Sequence, residues 1–187
     1  MGGQMTHTVL EPQTRVLQHV PRWAIIRTIR QQSVAEHSYY VAMYATFIAN
    51  HIKMKKSDVN WITQYALTHD FEEMISGDIP TPYKRHFRLD DDYMMTIPRE
   101  MASSIQTNNT TLEKYCIEVV KVADIFEACM YLADEIAMGN TTVHILFATL
   151  CKTLVDKADK LDESLPNLLT EKIHQTPRTY LCSDMGF

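Results

Sequence analysis

The sequence predicts an all-α protein built as a single-domain helical bundle, and three observations carry that expectation. Only five Gly stand among 187 residues rich in Leu, Ile, Met and Ala, and Gly is, after Pro, the residue that most weakens a helix interior. Apolar side chains recur three and four residues apart, and no stretch alternates apolar and polar as a half-buried strand would. Two capping boxes, Ser33 with Glu36 and Thr110 with Glu113, stand ahead of long apolar-periodic runs.

In chain order, Glu11 to His19 reads as a short amphipathic helix. Pro12 is tolerated in its first turn, where the missing N–H has no intrahelical partner in any case, and Pro21 stops it. Ser33 caps a long helix whose inner face is Val34, Val41, Ala42, Ala45, Ile48 and Ala49, with His37 in its first turn near the positive end of the dipole. A third helix runs from about Ser57-Asp58 through Trp61, Ile62 and Tyr65 to Ser76-Gly77. Asp78 to Arg88 is expected as a Pro-punctuated loop carrying Lys84, Arg85, His86 and Arg88. Asp90-Asp91-Asp92 is a solvated acidic cluster without the Gly and later Glu of a calcium loop, and Pro98 suits the first turn of another helix. After the polar turn Gln106 to Thr111, a long helix extends to Met138 and ends at Gly139-Asn140. Thr141 or Thr142 then caps a helix to about Asp159, and Pro166 to His174 forms a last short one. No internal repeat or linker interrupts residues 1–187, so one domain is expected.

At 187 residues the chain can bury a full core without staples, and 45% hydrophobic with 22% charged residues is ordinary for a globular protein. The net charge of −5 excludes a surface built to coat nucleic acid, so an anionic substrate must be met by local cations. Cys116, Cys129, Cys151 and Cys182 show no CxxC spacing and read as reduced thiols of a cytoplasmic protein. No apolar run is long enough for a membrane span.

The chemistry centres on His69-Asp70, which ends the apolar run Trp61, Ile62, Tyr65, Ala66, Leu67. Successive side chains on a helix diverge by about 100°, so the two reach one ion only if the helix skirts it and other elements close the shell. His37 and Asp124 are the residues expected to do so. Two imidazoles and two carboxylates form an N/O shell suited to zinc, manganese, cobalt or iron, with room for a water, and metal-bound water near neutral pH means hydrolysis. Taken alone, a His-Asp pair is more often a helix cap or a satisfied core polar; its company argues otherwise. Glu73 lies one turn beyond His69, and Asp78 follows a Gly able to end the helix in a left-handed turn.

Five ordered blocks carry a resemblance: Arg22-Trp23, Ser33-Val34-Ala35-Glu36-His37-Ser38, His69-Asp70-Phe71-Glu72-Glu73, Gly77-Asp78-Ile79-Pro80-Thr81-Pro82-Tyr83-Lys84 and Ala123-Asp124. Together they resemble the HD-domain metal-dependent phosphohydrolases, in the group holding the YfbR-like 5′-deoxynucleotidases and the phage DatZ-type dATP triphosphohydrolases. The resemblance runs from about Pro21 to Ala128. It implies an HD core over about 21–138, C-terminal helices over 141–175, and a homo-oligomer. It further implies one divalent ion, zinc, cobalt or manganese, with magnesium admissible alongside a triphosphate.

On that resemblance His37, His69, Asp70 and Asp124 are the metal ligands, and Glu73 is the general acid/base. Asp78 reads either as a second acid near the leaving oxygen or as a turn residue before Ile79-Pro80. Arg22, a planar fork, and Lys84, a mobile point charge, are candidate phosphate clamps. Trp23 is either a stacking platform for base or sugar or a core anchor. Glu127, one turn after Asp124, is a candidate support for the shell, whereas Asp134 and Glu135 are expected as exposed helix charges. The implied substrate is a free deoxynucleotide, not a nucleic-acid polymer. The leading expectation is dNTP (dATP) hydrolysis to deoxynucleoside and tripolyphosphate, with a 5′-deoxynucleotidase acting on dNMPs as the alternative. A metal-containing scaffold that binds nucleotide without catalysis would have no need of Glu73 and Asp78 together.

Overall fold

The computed structural model of the chain describes residues 12–87 and 110–179. A 3₁₀ helix, Pro12–His19, is followed by α1 (Val34–His51), α2 (Lys56–Thr68), α3 (Glu73–Ser76) and α4 (Thr81–Phe87). The helices α5 (Thr110–Ala137), α6 (His144–Leu161) and α7 (Leu165–Thr179) complete the order, with a single 3₁₀ turn at Thr141–Val143 before α6. No described helix is long and apolar enough to cross a membrane.

The axis of the bundle is α5, 28 residues and so roughly 42 Å long. It packs against α1, α2, α6 and α7. Val41, Ala45 and Ile48 of α1, Ile62 and Ala66 of α2, Val119, Ala123 and Phe126 of α5, Leu154 of α6 and Leu169 of α7 share one core. Ala45, Ala66 and Ala123 are fully buried in this core, and such small side chains permit helices to approach closely.

The capping box at Ser33 is present in full: its side chain accepts from Glu36 N–H, and the Glu36 carboxylate accepts from Ser33 N–H. Elsewhere the structure departs from the expected boundaries for local reasons. The third helix starts at Lys56, with Lys55 at its cap position, and stops at Thr68 instead of running to Ser76. Thr68 Oγ1 bonds back to the Gln64 and Tyr65 carbonyls and His69 Nδ1 donates to the Ala66 carbonyl at 2.7 Å. Side chains thus take the carbonyls that would continue the helix. After this turn only Glu73–Ser76 is helical, ended by Gly77 at φ +71°.

The expected basic loop is helix α4 from Thr81, with Pro82 in its first turn and the amides of Tyr83 and Lys84 on the Pro80 carbonyl. Asn140, not Thr141 or Thr142, caps the segment before α6, accepting from Thr142 N–H. Thr110 is itself helical, and α7 runs further than Pro166 to His174. Arg88, the Asp90-Asp91-Asp92 cluster, Pro98, the Gln106 end of the polar turn and Cys182 lie outside the described residues. The three described cysteines are free thiols.

Between the first 3₁₀ helix and α1, residues 21–33 form a strap. Its base is closed by an antiparallel bridge between Pro21 and Ser33, with Arg22 N–H on the Gln32 carbonyl at 2.9 Å. Its tip is fixed by Glu135, which accepts from the amides of Ile29 at 2.6 Å and Arg30 at 2.8 Å and from the Asn140 side chain at 2.8 Å. The expectation of an exposed Glu135 is therefore corrected: the residue is fully buried, because three donors replace its water. Asp134 is likewise half-buried, with Oδ1 buried and without a hydrogen-bond partner.

Candidate active site

Three elements bring the site together. The first turn of α1 supplies His37, the broken end of α2 supplies His69 and Asp70, and the middle of α5 supplies Asp124. The break at Thr68 solves the divergence of adjacent side chains: in the turn, His69 and Asp70 face one point, with His69 Nε2 3.3 Å from Asp70 Oδ2. His37, His69 and Asp70 each offer a ligand atom, all within 4.8 Å of one another. Asp124 stands beside this triad on the more open side, 40% exposed, with Oδ1 3.1 Å from His37 Nε2.

The ring nitrogens show what this point suits. The Nε2 atoms of His37 and His69 are buried and have no hydrogen-bond partner. Each has a carboxylate oxygen close by, Asp124 Oδ1 at 3.1 Å and Asp70 Oδ2 at 3.3 Å, but in no hydrogen-bonding geometry. Such an arrangement leaves buried polar atoms to be satisfied by something else. Two imidazole nitrogens and two carboxylates converging in this way fit a divalent cation, which would displace the proton on His37.

Behind the triad, His37 Nδ1 donates to Glu127 Oε2 at 2.6 Å, and Glu127 Oε1 accepts from Gln32 Nε2 at 2.6 Å. A carboxylate behind a ligating imidazole fixes the ring and makes it a better donor to metal. The expectation for Glu127 as support thus has its geometry, whereas Gln32 was not singled out by sequence reasoning. Tyr131 is likewise not singled out and Glu135 is expected only as an exposed charge, yet the sequence holds a signal for both. Asp124, Glu127, Tyr131 and Glu135 follow one another at helical spacing and form a polar stripe along one face of α5.

The acids and cations line up on the other side. Glu73 is 2% exposed, and its Oε1 lies 3.6 Å from Lys84 Nζ. Arg22 Nη1 lies 3.5 Å from Asp70 Oδ2, and the buried Arg22 Nε has no partner. Asp78 accepts from the backbone N–H of Trp23 at 3.0 Å. This bond helps hold Trp23 in the left-handed region, at φ +65°, a conformation rare for a bulky residue. The Trp23 ring stacks on Tyr131 at 5.3 Å, and its indole N–H donates to Gln32 Oε1 at 3.0 Å. One face of the ring is therefore committed to the fold, and Asp78 is joined to the strap that presents Arg22.

Burial and mutual charge set the protonation states. Burial and the Arg22 guanidinium push His37 toward neutrality, but Glu127 and Asp124 outweigh them, and the metal-free imidazole has its pKa raised to about 9. Against the cost of burial, the histidines and Arg22 hold Asp70 and Asp124 below the ordinary carboxylate range. Glu73 goes the other way: burial, reinforced by the charges of Asp70 and Asp78, pushes it up to about 9. Burial also lifts Glu72 to about 7. Desolvation works against Arg22, but four carboxylates, led by Asp124 and Asp70, hold it above its ordinary value and so charged.

Comparison with known proteins gives concordant results. The family model described as 5′-deoxynucleotidase YfbR-like matches residues 13–173. A 5′-deoxynucleotidase of Photorhabdus laumondii is 31% identical over 162 residues, 75% of this chain and 80% of that one. One of Pectobacterium atrosepticum is 30% identical over 158 residues, 74% of this chain and 78% of that one. Among solved structures, the cyanophage S-2L HD phosphohydrolase DatZ, bound to dA and one catalytic zinc ion, superposes with a TM-score of 0.68 at 21% identity. That match covers 92% of this chain and 99% of DatZ. A conserved hypothetical protein of Pyrococcus furiosus matches with a TM-score of 0.58 at 22% identity, over 89% of this chain and 96% of that one. Both structural matches bear on the fold.

Proposed function

The chain belongs to the YfbR-like 5′-deoxynucleotidase family, and from that premise we propose that it cleaves the 5′ phosphate ester of free deoxynucleotides at one divalent ion. The observation that carries the reading is the convergence of two partnerless buried imidazole nitrogens on Asp70, beside a buried, protonated Glu73. His37, His69, Asp70 and Asp124 would hold the ion, and the zinc in DatZ supports zinc as its identity. When bound, such an ion polarises a phosphoryl oxygen and generates a hydrolytic water at neutral pH.

The chain's own residues do the rest. Arg22, charged and with Nε unpaired, takes a phosphate oxygen through its planar fork. Lys84 adds a second positive charge beside Glu73. Glu73, carrying a proton at neutral pH, gives it to the 5′ oxygen as the bond to phosphorus breaks and regains one from the attacking water. The carboxylate formed in between is paired by Lys84. Asp78 and Trp23 keep the strap in the shape that aims Arg22. A nucleotide-binding scaffold without catalysis would leave the raised pKa of Glu73 without use.

A deoxynucleoside monophosphate is the substrate supported by the names of the relatives at 30–31% identity. Hydrolysis of a dNTP to deoxynucleoside and tripolyphosphate is the second reading, for which Lys84 beside Glu73 offers a cation to a longer phosphate tail. Both place the attack at the phosphorus beside the sugar. Phosphorus NMR of products from dAMP and dATP, with zinc, cobalt or manganese, separates them. Orthophosphate from dAMP supports the first, and intact tripolyphosphate from dATP the second. Terminal orthophosphate from dATP would contradict the geometry of both.

A further inference from the structure

We infer that Gln32 is a positioning residue for the metal, holding the Glu127 carboxylate in the orientation that grips His37 Nδ1 and keeps Nε2 aimed at the ion. The inference rests on the metal site proposed above.

Gln32 is 1% exposed, so both ends of its amide must find partners inside the protein. An amide can be placed either way round, but here its neighbours leave no choice. The indole nitrogen of Trp23 only donates, and a carboxylate such as Glu127 only accepts. Gln32 Oε1 therefore takes the indole N–H at 3.0 Å, and Nε2 gives to Glu127 Oε1 at 2.6 Å. With Oε1 so engaged, Glu127 turns Oε2 to His37 Nδ1 at 2.6 Å. Nδ1 then keeps its proton, and Nε2 is the nitrogen left facing the point shared with His69 and Asp70, where an entering ion takes the place of its proton.

Glu127, which can only accept, decides that His37 Nδ1 is the donor, while the Trp23 indole decides which way round Gln32 lies and Gln32 in turn holds the carboxylate in place. The same tryptophan is held by Asp78 through its backbone amide and by Tyr131 through its ring. The strap that carries Arg22 and the orientation of a metal ligand are in this way one connected structure. A glutamine that merely filled space would have no such consequence.

Titration of the metal-free protein with Co²⁺, followed by its visible absorption, gives affinity and ligand field together. Gln32→Met keeps the length of the side chain and removes both polar ends. It is expected to weaken Co²⁺ binding 10–100-fold and shift the absorption bands, while circular dichroism of the metal-free protein stays that of the wild type. Trp23→Phe keeps an aromatic ring on Tyr131 and deletes only the fixed donor; a loss of a few-fold is expected, since Gln32 still donates. Wild-type affinity and bands in Gln32→Met would overturn the inference. Should that variant not fold, unchanged binding by Trp23→Phe overturns it instead. Absence of Co²⁺ binding by the wild type would overturn the metal site itself, a distinct outcome.

Discussion

Glu73 is the residue whose chemistry and burial are most at odds. A carboxylate held at a pKa of about 9 is protonated at neutral pH, whereas in the unfolded chain it ionises near its ordinary value. Its folded pKa is raised, so its contribution to stability is complete below about pH 4.5 and declines as pH rises toward 9. Glu73→Gln escapes this decline. In the metal-free protein the variant should melt with the wild type near pH 5 and above it at pH 8, by at least about 1 kcal/mol, or ~2–4 °C. The same substitution should lower turnover by about 10²–10⁴-fold with metal retained. A wild-type rate in a metal-replete Glu73→Gln enzyme would move the proton work to another group, with Asp78 next in line. His37 gives the complementary prediction. Its metal-free pKa of about 9 means that an ion entering at pH 7 displaces a proton. Calorimetry in buffers of different ionisation enthalpy should count about one proton released per ion at pH 7 and none by pH 10, with affinity rising over that interval.

Among the elements, the strap over residues 21–33 matters most, because it has no regular structure and yet presents Arg22. It keeps its shape through contacts with one face of α5: Glu127 by way of Gln32, Tyr131 under Trp23 and at the Arg30 carbonyl, and Glu135 at the tip. Removing Glu135 strands the amides of Ile29 and Arg30, each with a charge-assisted bond worth about 1.5–3 kcal/mol. Glu135→Ala should therefore destabilise by roughly 2–4 kcal/mol and, where still folded, raise KM more than it lowers kcat, since what loosens is the phosphate-binding strap. Steady-state kinetics beside a melting curve checks both, and equal effects on KM and kcat would detach the strap from substrate binding. The break between α2 and α3 is the second decisive element. It ends the expected third helix at Thr68 instead of Ser76, because apolar spacing does not register side chains that take the helix's own carbonyls.

The whole molecule is a bundle in which the metal point lies where α1, α2 and α5 converge. An ion bound only by the folded chain stabilises all of it at once. At a concentration a hundredfold above its Kd this amounts to about 2.7 kcal/mol, or ~5–10 °C in a protein of this size. Stripping metal with a chelator should lower the melting temperature by that order and abolish hydrolysis, and re-adding zinc should restore both. A melting temperature indifferent to metal would mean that the imidazoles do not hold it.

The sequence by itself determined the all-α class, the capped start of α1, the cores of the long helices and the residues at the candidate centre. Each of these is written in local spacing: apolar periodicity, a capping box, the blocks around His37, His69 and Asp124. Only the tertiary structure decided how adjacent His69 and Asp70 reach one point, through a turn that depends on bonds to Gln64, Tyr65 and Ala66. It alone turned Asp78 toward the Trp23 amide, buried Glu135 under a strap about a hundred residues away in sequence, and linked Trp23 to His37 through Gln32. The reason is physical. Periodicity reports which face of an element is apolar, whereas the partner of a buried polar group is set by whichever distant backbone the fold lays against it.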